Sequence, residues 1–206
     1  LMVELASLDI MAVLSAATNT IAEGEVMQLA NVGNTDLSET DYREVIRCKT
    51  ALLFEAASHT GALLAFEADA TMSPEHIELV RQFGLHFGLA YQLVDDWLDY
   101  AGDTEAMGKN VGDDLSEGKL TLPLIQALKV ASAEEQTLIK NALRAKSQEH
   151  MPEILAVVEK SGALEYTYDA AVEETNLALS CLADLPDNPY KAALGTLATF
   201  SLSRLG

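Results

Sequence analysis

Residues 91–100, with the sequence YQLVDDWLDY, carry the side chains whose types and spacing point most clearly to chemistry. An α-helix turns by about 100° per residue, so the polar side chains of this segment share one arc of about that width: Gln92, Asp95, Asp96 and Asp99. The remaining positions are mostly apolar or aromatic, which predicts a largely buried helix. Carboxylates clustered in a buried cavity repel one another unless a cation compensates them. The pattern therefore predicts a divalent metal site.

Oxygen ligands suit Mg²⁺, which takes one or two protein carboxylates and completes its octahedron with water and phosphate oxygens. A phosphorylated substrate is therefore expected. An isolated DDxxD pattern is also typical of a solvated acidic face. Basic residues nearby that could bind phosphate therefore strengthen the prediction of a metal site. The chain has only 13 Lys and Arg, and Lys109 and Lys119 lie in a glycine-rich loop just after the acidic helix. Glycines allow close approach of an anion, and each ammonium supplies a point charge for phosphate.

Two further segments carry candidate residues on earlier helices. Lys49 and Thr50 precede an apolar run, where the lysine could bind phosphate or simply extend its charge to solvent. Glu25 and Gln28 lie about one turn apart on an otherwise apolar helix and are weaker candidates for functional residues.

Helical periodicity runs through the whole chain, with Gly and Pro confined to the joints. It predicts a single all-α domain over residues 1–206. Gly88 and Gly84 lie one and two turns before Gln92 on the arc that bears the carboxylates. Because they have no side chains, an apolar cavity is expected beside them. The predicted helices cover residues 5–31, 38–70 with a bend near the middle, 73–100, 120–130, 132–145, 152–160, 163–185 and 189–205.

Composition excludes several classes of protein. The net charge of −19 argues against a nucleic-acid partner, because such a surface repels phosphate. Cys48 and Cys181 form no metal-binding pattern and no disulfide framework, which favours a reducing, cytoplasmic location. No apolar run reaches the length of a membrane-spanning helix.

Together the motifs resemble those of trans-prenyl diphosphate synthases. The matching pieces, in order, are residues 24–28 (GEVMQ), Lys49–Thr50, residues 91–99 as the second aspartate-rich motif of that family, and residues 108–119 (GKNVGDDLSEGK). The first and last of these are most similar to the bacterial long-chain enzymes, octaprenyl diphosphate synthases in particular. The resemblance implies an isoprenoid-synthase-type helical bundle around a central cavity.

The implied reaction joins isopentenyl diphosphate to an allylic diphosphate. The allylic substrate ionises while Mg²⁺ holds its diphosphate, isopentenyl diphosphate attacks the cation, and a proton is lost. Carried onto this sequence, Asp95 is the direct metal ligand. Asp96 and Asp99 are ligands or hold metal-bound water.

The resemblance also assigns the substrate contacts. Lys49 and Lys109 neutralise the allylic diphosphate, and Lys119 assists them. Thr50 and Gln92 present oxygens toward the carbocation, and Gln28 belongs to the substrate-binding set. The product is a long-chain all-trans polyprenyl diphosphate, of the kind used for quinone side chains.

Two departures from the family pattern stand out. The first aspartate-rich motif is expected before Leu1, so residues 1–206 are expected to be the C-terminal two-thirds of a prenyl synthase domain. Leu120 follows Lys119 where family members usually have proline, and a local change in loop stiffness is expected there.

The resemblance further implies a homodimer and peripheral membrane association through the lipid product. Two alternatives stay open, a non-catalytic subunit or scaffold of prenyl-synthase type and a class I terpene cyclase. A di-iron bundle would need Glu-x-x-His pairs, which the sequence lacks.

Overall fold

A computed structural model describes residues 6–68, 73–101 and 111–203. Throughout these ranges the regular structure is helical and no strand occurs, which confirms the all-α prediction. The helices are α1 Leu8–Ala30, α2 Glu39–Ile46, a π-helical turn Arg47–Ala51, α3 Leu52–Ala68, α4 Pro74–Ala101, α5 Asp113–Glu117, α6 Leu122–Val130, α7 Ala133–Ala145, α8 Met151–Lys160, α9 Ala163–Ala183 and α10 Pro189–Ser203.

Serine side chains define the starts of several helices. The hydroxyl of Ser38 accepts from the backbone N–H of Asp41 at the start of α2, as its spacing predicts. Ser132 and Glu135 form the predicted capping box at the start of α7. These contacts satisfy backbone N–H groups that a helix leaves without an internal partner.

The bend expected within residues 38–70 is the π-helical turn between α2 and α3. A π-helical turn holds one residue more than the α-helical pattern and is often found at functional sites. Here it contains Lys49 and Thr50, two of the residues singled out from the sequence.

Two glycines allow neighbouring helices to approach this turn closely. A Cβ atom on Gly24 of α1 would lie 2.6 Å from the backbone nitrogen of Lys49. A Cβ atom on Gly88 of α4 would lie 2.6 Å from the Cα atom of Ala51. The turn is therefore packed between two helices at positions that no larger residue could occupy without movement.

An apolar cavity was expected beside Gly84 and Gly88, but among the described residues other atoms fill that space, so the prediction was wrong. A Cβ atom on Gly84 would lie 2.5 Å from the carbonyl oxygen of Phe54, and one on Gly88 would meet Ala51. Backbone of the turn and of α3 occupies the space that the missing side chains leave. The glycines thus permit close helix packing instead of lining a cavity.

We expect Gly88→Ala to lower the free energy of unfolding by about 1–3 kcal/mol, because the added methyl group must displace backbone. Gly61→Ala is the matched control, since a Cβ atom there meets no other atom within 4 Å. It should stabilise α3 by up to about 1 kcal/mol through helix propensity alone. Urea unfolding of both variants measures the difference, and equal stability of the two would contradict the packing explanation.

The core lies around α4. Helix α9 packs along α4, and the indole N–H of Trp97 donates to the carbonyl oxygen of Leu164 at 3.1 Å. Fully buried side chains from α4 through α8, such as Leu93, Leu124 and Ile139, form the larger apolar cluster. This packing fixes the face of α4 that bears the carboxylates.

Helix α2 is held by polar contacts at its first residue. The Glu39 carboxylate accepts from Gln126 at 2.7 Å, from Lys129 at 3.1 Å and from Tyr166 at 3.0 Å. It also pairs with Arg43 one turn later. These partners lie on α6, α9 and α2 itself, so α2 is fixed relative to the core.

None of the helices in the described ranges is both long enough and apolar enough to cross a membrane.

Candidate active site

A cavity of about 230 Å³ lies where the end of α1, the π-helical turn, α4 and the segment around α5 meet. Most of the residues predicted from the sequence line it. Lys109 lies outside the described residues, and Asp99 lies one turn beyond the cavity wall. The predicted residues in the lining are Gln28, Lys49, Thr50, Gln92, Asp95, Asp96 and Lys119.

Lys49 is held at the edge of the cavity by α1. Its ammonium donates to Oε1 of Gln28 at 3.0 Å and lies 3.4 Å from Oε2 of Glu25. Because the side chain is only partly exposed, these contacts fix the position of its charge. The fold thus brings Lys49 into contact with the weaker candidates Glu25 and Gln28.

A chain of hydrogen bonds runs from the cavity into the core. Thr50 Oγ1 donates to Gln92 Oε1 at 2.9 Å, and Gln92 Nε2 donates to Asp96 Oδ1 at 2.8 Å. The hydroxyl of Tyr42 donates to the other oxygen, Asp96 Oδ2. Asp96 and Tyr42 are both almost completely buried, with 2% and 3% of their surfaces exposed.

Asp99 orients the segment that follows the acidic helix. Its carboxylate accepts from the backbone N–H groups of Asp113 at 3.0 Å and Asp114 at 3.2 Å. These are the first residues of α5, whose N–H groups have no partner within the helix. Asp99 therefore fixes where Asp114 enters the cavity, and its role toward a metal stays a prediction.

Two ionisable residues in the cavity lining, Tyr42 and Asp114, were not selected from the sequence. Tyr42 lies 54 positions from its partner Asp96, and no local pattern connects them. Asp114 lies within the quoted loop motif, between glycines with positive φ at Gly112 and Gly118. Its place beside an acidic helix and before Lys119 was a signal that could have identified it.

Burial, with the charge of neighbouring carboxylates, raises the pKa values of the acidic groups at and beside the cavity. Burial, followed by the charge of Asp114, raises the pKa of Asp99 to about 7. The same two causes raise the pKa of Asp96, despite its hydrogen bonds from Tyr42 and Gln92. Burial also raises the pKa of Asp114 against the opposing effect of Lys119, whose ammonium lies 3.4 Å away.

These carboxylates fit a hard divalent cation through the chemistry of their donors, which are all oxygens. Among the described residues, no three His, Cys, Asp or Glu side chains lie close enough to hold a metal ion by themselves. Mg²⁺ needs only one or two protein carboxylates when a substrate phosphate supplies further oxygens. Asp95 and Asp114, which both line the cavity, are the residues best placed for that role.

We expect added MgCl₂ to raise the melting temperature more at pH 8 than at pH 5.5. The pKa of Asp99 rises from its ordinary value of 3.8 to about 7 on folding. The folded chain therefore binds more protons than the unfolded chain, and the stability from this group falls as pH rises through that interval. A bound cation favours the ionised form and offsets the loss. Thermal melts with MgCl₂, and with NaCl of equal ionic strength as control, measure this effect. Equal shifts at both pH values would contradict it.

Comparison with known proteins identifies the family. The family model for polyprenyl synthetases matches residues 1–160. The chain belongs to the polyprenyl synthetase family. The resemblance inferred from the motifs is thereby confirmed.

Two curated relatives in the polyprenyl synthetase family are named as long-chain enzymes. The chain is 42% identical over 205 residues to octaprenyl diphosphate synthase of Escherichia coli, covering 99% of this chain and 62% of the relative. It is 40% identical to an all-trans-nonaprenyl-diphosphate synthase, geranyl-diphosphate specific, of Rhodobacter capsulatus, covering 100% of this chain and 61% of that relative. The chain thus spans less than two thirds of the length of these relatives.

Solved structures of polyprenyl synthetase family members share the fold. A decaprenyl diphosphate synthase from Rhodobacter capsulatus matches with a TM-score of 0.90 and 35% identity, covering 100% of this chain and 62% of that chain. A polyprenyl synthase from Caulobacter crescentus, complexed with calcium and isoprenyl diphosphate, matches with a TM-score of 0.89 and 40% identity over the same shares. The expected isoprenoid-synthase-type fold is therefore confirmed, including α9 and α10, which follow the part matched by the family model.

Proposed function

We propose that the protein containing this chain is a Mg²⁺-dependent long-chain trans-polyprenyl diphosphate synthase. It elongates an allylic diphosphate with isopentenyl diphosphate. The observation that carries the proposal is a single cavity whose lining contains Lys49 and Lys119 together with Asp95 and Asp114. Such an arrangement suits a diphosphate held between cations and metal-binding carboxylates.

The charged wall of the cavity would bind the leaving diphosphate. Lys49 and Lys119 donate charged hydrogen bonds to phosphate oxygens, with Lys109 added by the family resemblance. Asp95 and Asp114 would bind the metal, and the family resemblance adds Asp99 as a further predicted ligand or holder of its water. Mg²⁺, when bound, neutralises the negative charge that develops on the diphosphate as the allylic C–O bond breaks. The calcium and isoprenyl diphosphate described for the Caulobacter crescentus structure support this assignment.

Thr50 and Gln92 would stabilise the allylic cation. Thr50 donates its proton to Gln92, so the lone pairs of its hydroxyl oxygen are available toward the cavity. The amide oxygen of Gln92 carries a partial negative charge at the same place. Fixed dipoles aimed at a developing charge lower its free energy without reorganising during the reaction. Attack by isopentenyl diphosphate on the allylic cation forms the new C–C bond, and transfer of a proton from the resulting cation to the released diphosphate completes each round of elongation.

The proposal includes the expected partners. The substrates are isopentenyl diphosphate and an allylic diphosphate, and the long-chain relatives support an octaprenyl-class product for quinone side chains. A homodimer, a cytoplasmic location and peripheral membrane association through the lipid product are further parts of the proposal.

The test is a prenyl-transfer assay of the gene product that contains these residues. It would be given Mg²⁺, radiolabelled isopentenyl diphosphate and either geranyl or farnesyl diphosphate, and the products would be separated by chromatography. A ladder ending at a long chain length is the expected result. A cyclic hydrocarbon formed without isopentenyl diphosphate would show a terpene cyclase. No product with any primer would favour the non-catalytic subunit.

A further inference from the structure

Gln92 is the central residue of the hydrogen-bond chain between the cavity and the core. Its amide oxygen accepts from Thr50, and its amide nitrogen donates to Asp96. An amide side chain has one accepting and one donating end, and the two have nearly the same shape. Only its partners decide which end faces the cavity.

Asp96 decides that orientation. Gln92 and Asp96 are four residues apart on α4, so their side chains lie on the same face of the helix. The Oδ1 atom of Asp96 is an acceptor and selects the donating end of the amide. The oxygen of Gln92 is therefore left to face Thr50, at the position where the proposed reaction develops positive charge.

Tyr42 in turn fixes Asp96. It reaches Asp96 from α2, which the contacts of Glu39 hold against α6 and α9. Its hydroxyl and the amide of Gln92 take one carboxylate oxygen each, so the carboxylate cannot rotate without losing a buried hydrogen bond. A buried polar network whose members are all satisfied is rigid, and rigidity matters most next to a reacting centre.

We propose that Asp96 and Tyr42 are positioning residues that fix the side-chain amide of Gln92 with its oxygen toward Thr50 and the cavity. The proposal deepens the proposed function, on which its kinetic part rests. It gives Asp96 a role that differs from that of Asp95. Asp95 acts on the leaving group, whereas Asp96 acts on the oxygen that faces the cation.

The decisive pair of variants is Asp96→Asn and Asp96→Ala. Asparagine can accept from Gln92 with its oxygen and donate to the hydroxyl oxygen of Tyr42 with its nitrogen. Asp96→Asn should therefore keep kcat within about tenfold of the original protein. Asp96→Ala should lose as much activity as Gln92→Ala. A metal-ligand role predicts instead that both variants fail and that both need more Mg²⁺.

Tyr42→Phe tests the other end of the chain. It leaves one buried carboxylate oxygen without a donor, so kcat should fall by about tenfold to a hundredfold. The Mg²⁺ concentration for half-maximal rate and the KM for the allylic diphosphate should stay within about twofold, because binding of the diphosphate is not affected. Tyr190→Phe is the matched control, since Tyr190 is 82% exposed on α10. It should leave every parameter unchanged.

A measurement without turnover separates this proposal from the proposed function. The side-chain amide signal of Gln92 in ¹⁵N-glutamine-labelled protein, assigned by its loss in Gln92→Leu, should exchange slowly with solvent. Exchange should become faster in Tyr42→Phe and Asp96→Ala and stay slow in Asp96→Asn. An inactive protein with this exchange pattern would refute the prenyltransferase function alone. Unchanged exchange in Tyr42→Phe, or a raised Mg²⁺ requirement in Asp96→Asn, would overturn the positioning role.

Discussion

Asp95→Asn is expected to lower prenyl-transfer turnover at least about a thousandfold, because Lewis-acid stabilisation of a leaving diphosphate contributes several kcal/mol. The variant keeps the size and shape of the side chain but removes the negative charge that a cation needs. Added Mg²⁺ should not restore the rate. Treatment of the original protein with a chelator should have the same effect as the substitution.

Asp169→Asn is the control for this experiment. Asp169 is exposed on α9 and takes no part in the cavity. Single-turnover rates of both variants, measured over a range of Mg²⁺ concentrations, separate the chemical step from product release. Full activity of Asp95→Asn, or activity of the original protein in metal-free buffer, would refute the metal assignment.

Lys49→Ala is expected to reduce kcat/KM for the allylic diphosphate by about tenfold to more than a hundredfold, the equivalent of one charged hydrogen bond to phosphate. The loss should be electrostatic in origin, because the ammonium is held at the cavity edge by Gln28 and Glu25. Steady-state kinetics with the allylic primer varied at saturating isopentenyl diphosphate measure it.

Lys160→Ala serves as the comparison, since Lys160 is exposed and pairs with Glu135 away from the cavity. It removes the same charge and the same length of side chain. Equal losses in both variants would indicate general destabilisation of the protein. An unchanged kcat/KM in Lys49→Ala would exclude a direct contact between this lysine and the diphosphate.

Helical periodicity predicted the direction of the acidic side chains but not what lies opposite each of them. Asp95, Asp96 and Asp99 share one arc of α4, yet their surroundings differ. Asp95 lines the cavity, Asp96 is enclosed by Tyr42 and Gln92, and Asp99 accepts from the start of α5. Their environments depend on contacts between distant segments, which a local pattern does not contain.

The prediction of a cavity beside the glycines of α4 was wrong and the prediction of the bend before α3 was incomplete, both for the same reason. Gly84 and Gly88 leave space on one face of α4, as the sequence indicated. The close approach of α3 and of the π-helical turn fills that space. The bend before α3 was expected from the sequence, whereas its π-helical form was not. The turn packs closely against Gly24 and Gly88, which are far away in the chain, so no local pattern contains these contacts. The helix boundaries at Ser38 and Ser132 were predicted well because capping involves only neighbouring residues.

The π-helical turn also sets the phase between α2 and α3. Each residue added to or removed from a helix rotates everything beyond it by about 100°. Loss of Arg47 or Cys48 would restore a regular helix and turn Tyr42 away from Asp96, although every side chain named in the cavity would still be present. The number of residues from Tyr42 to Thr50 is therefore fixed, and we expect an insertion or deletion there to disrupt the cavity even where it removes none of its side chains.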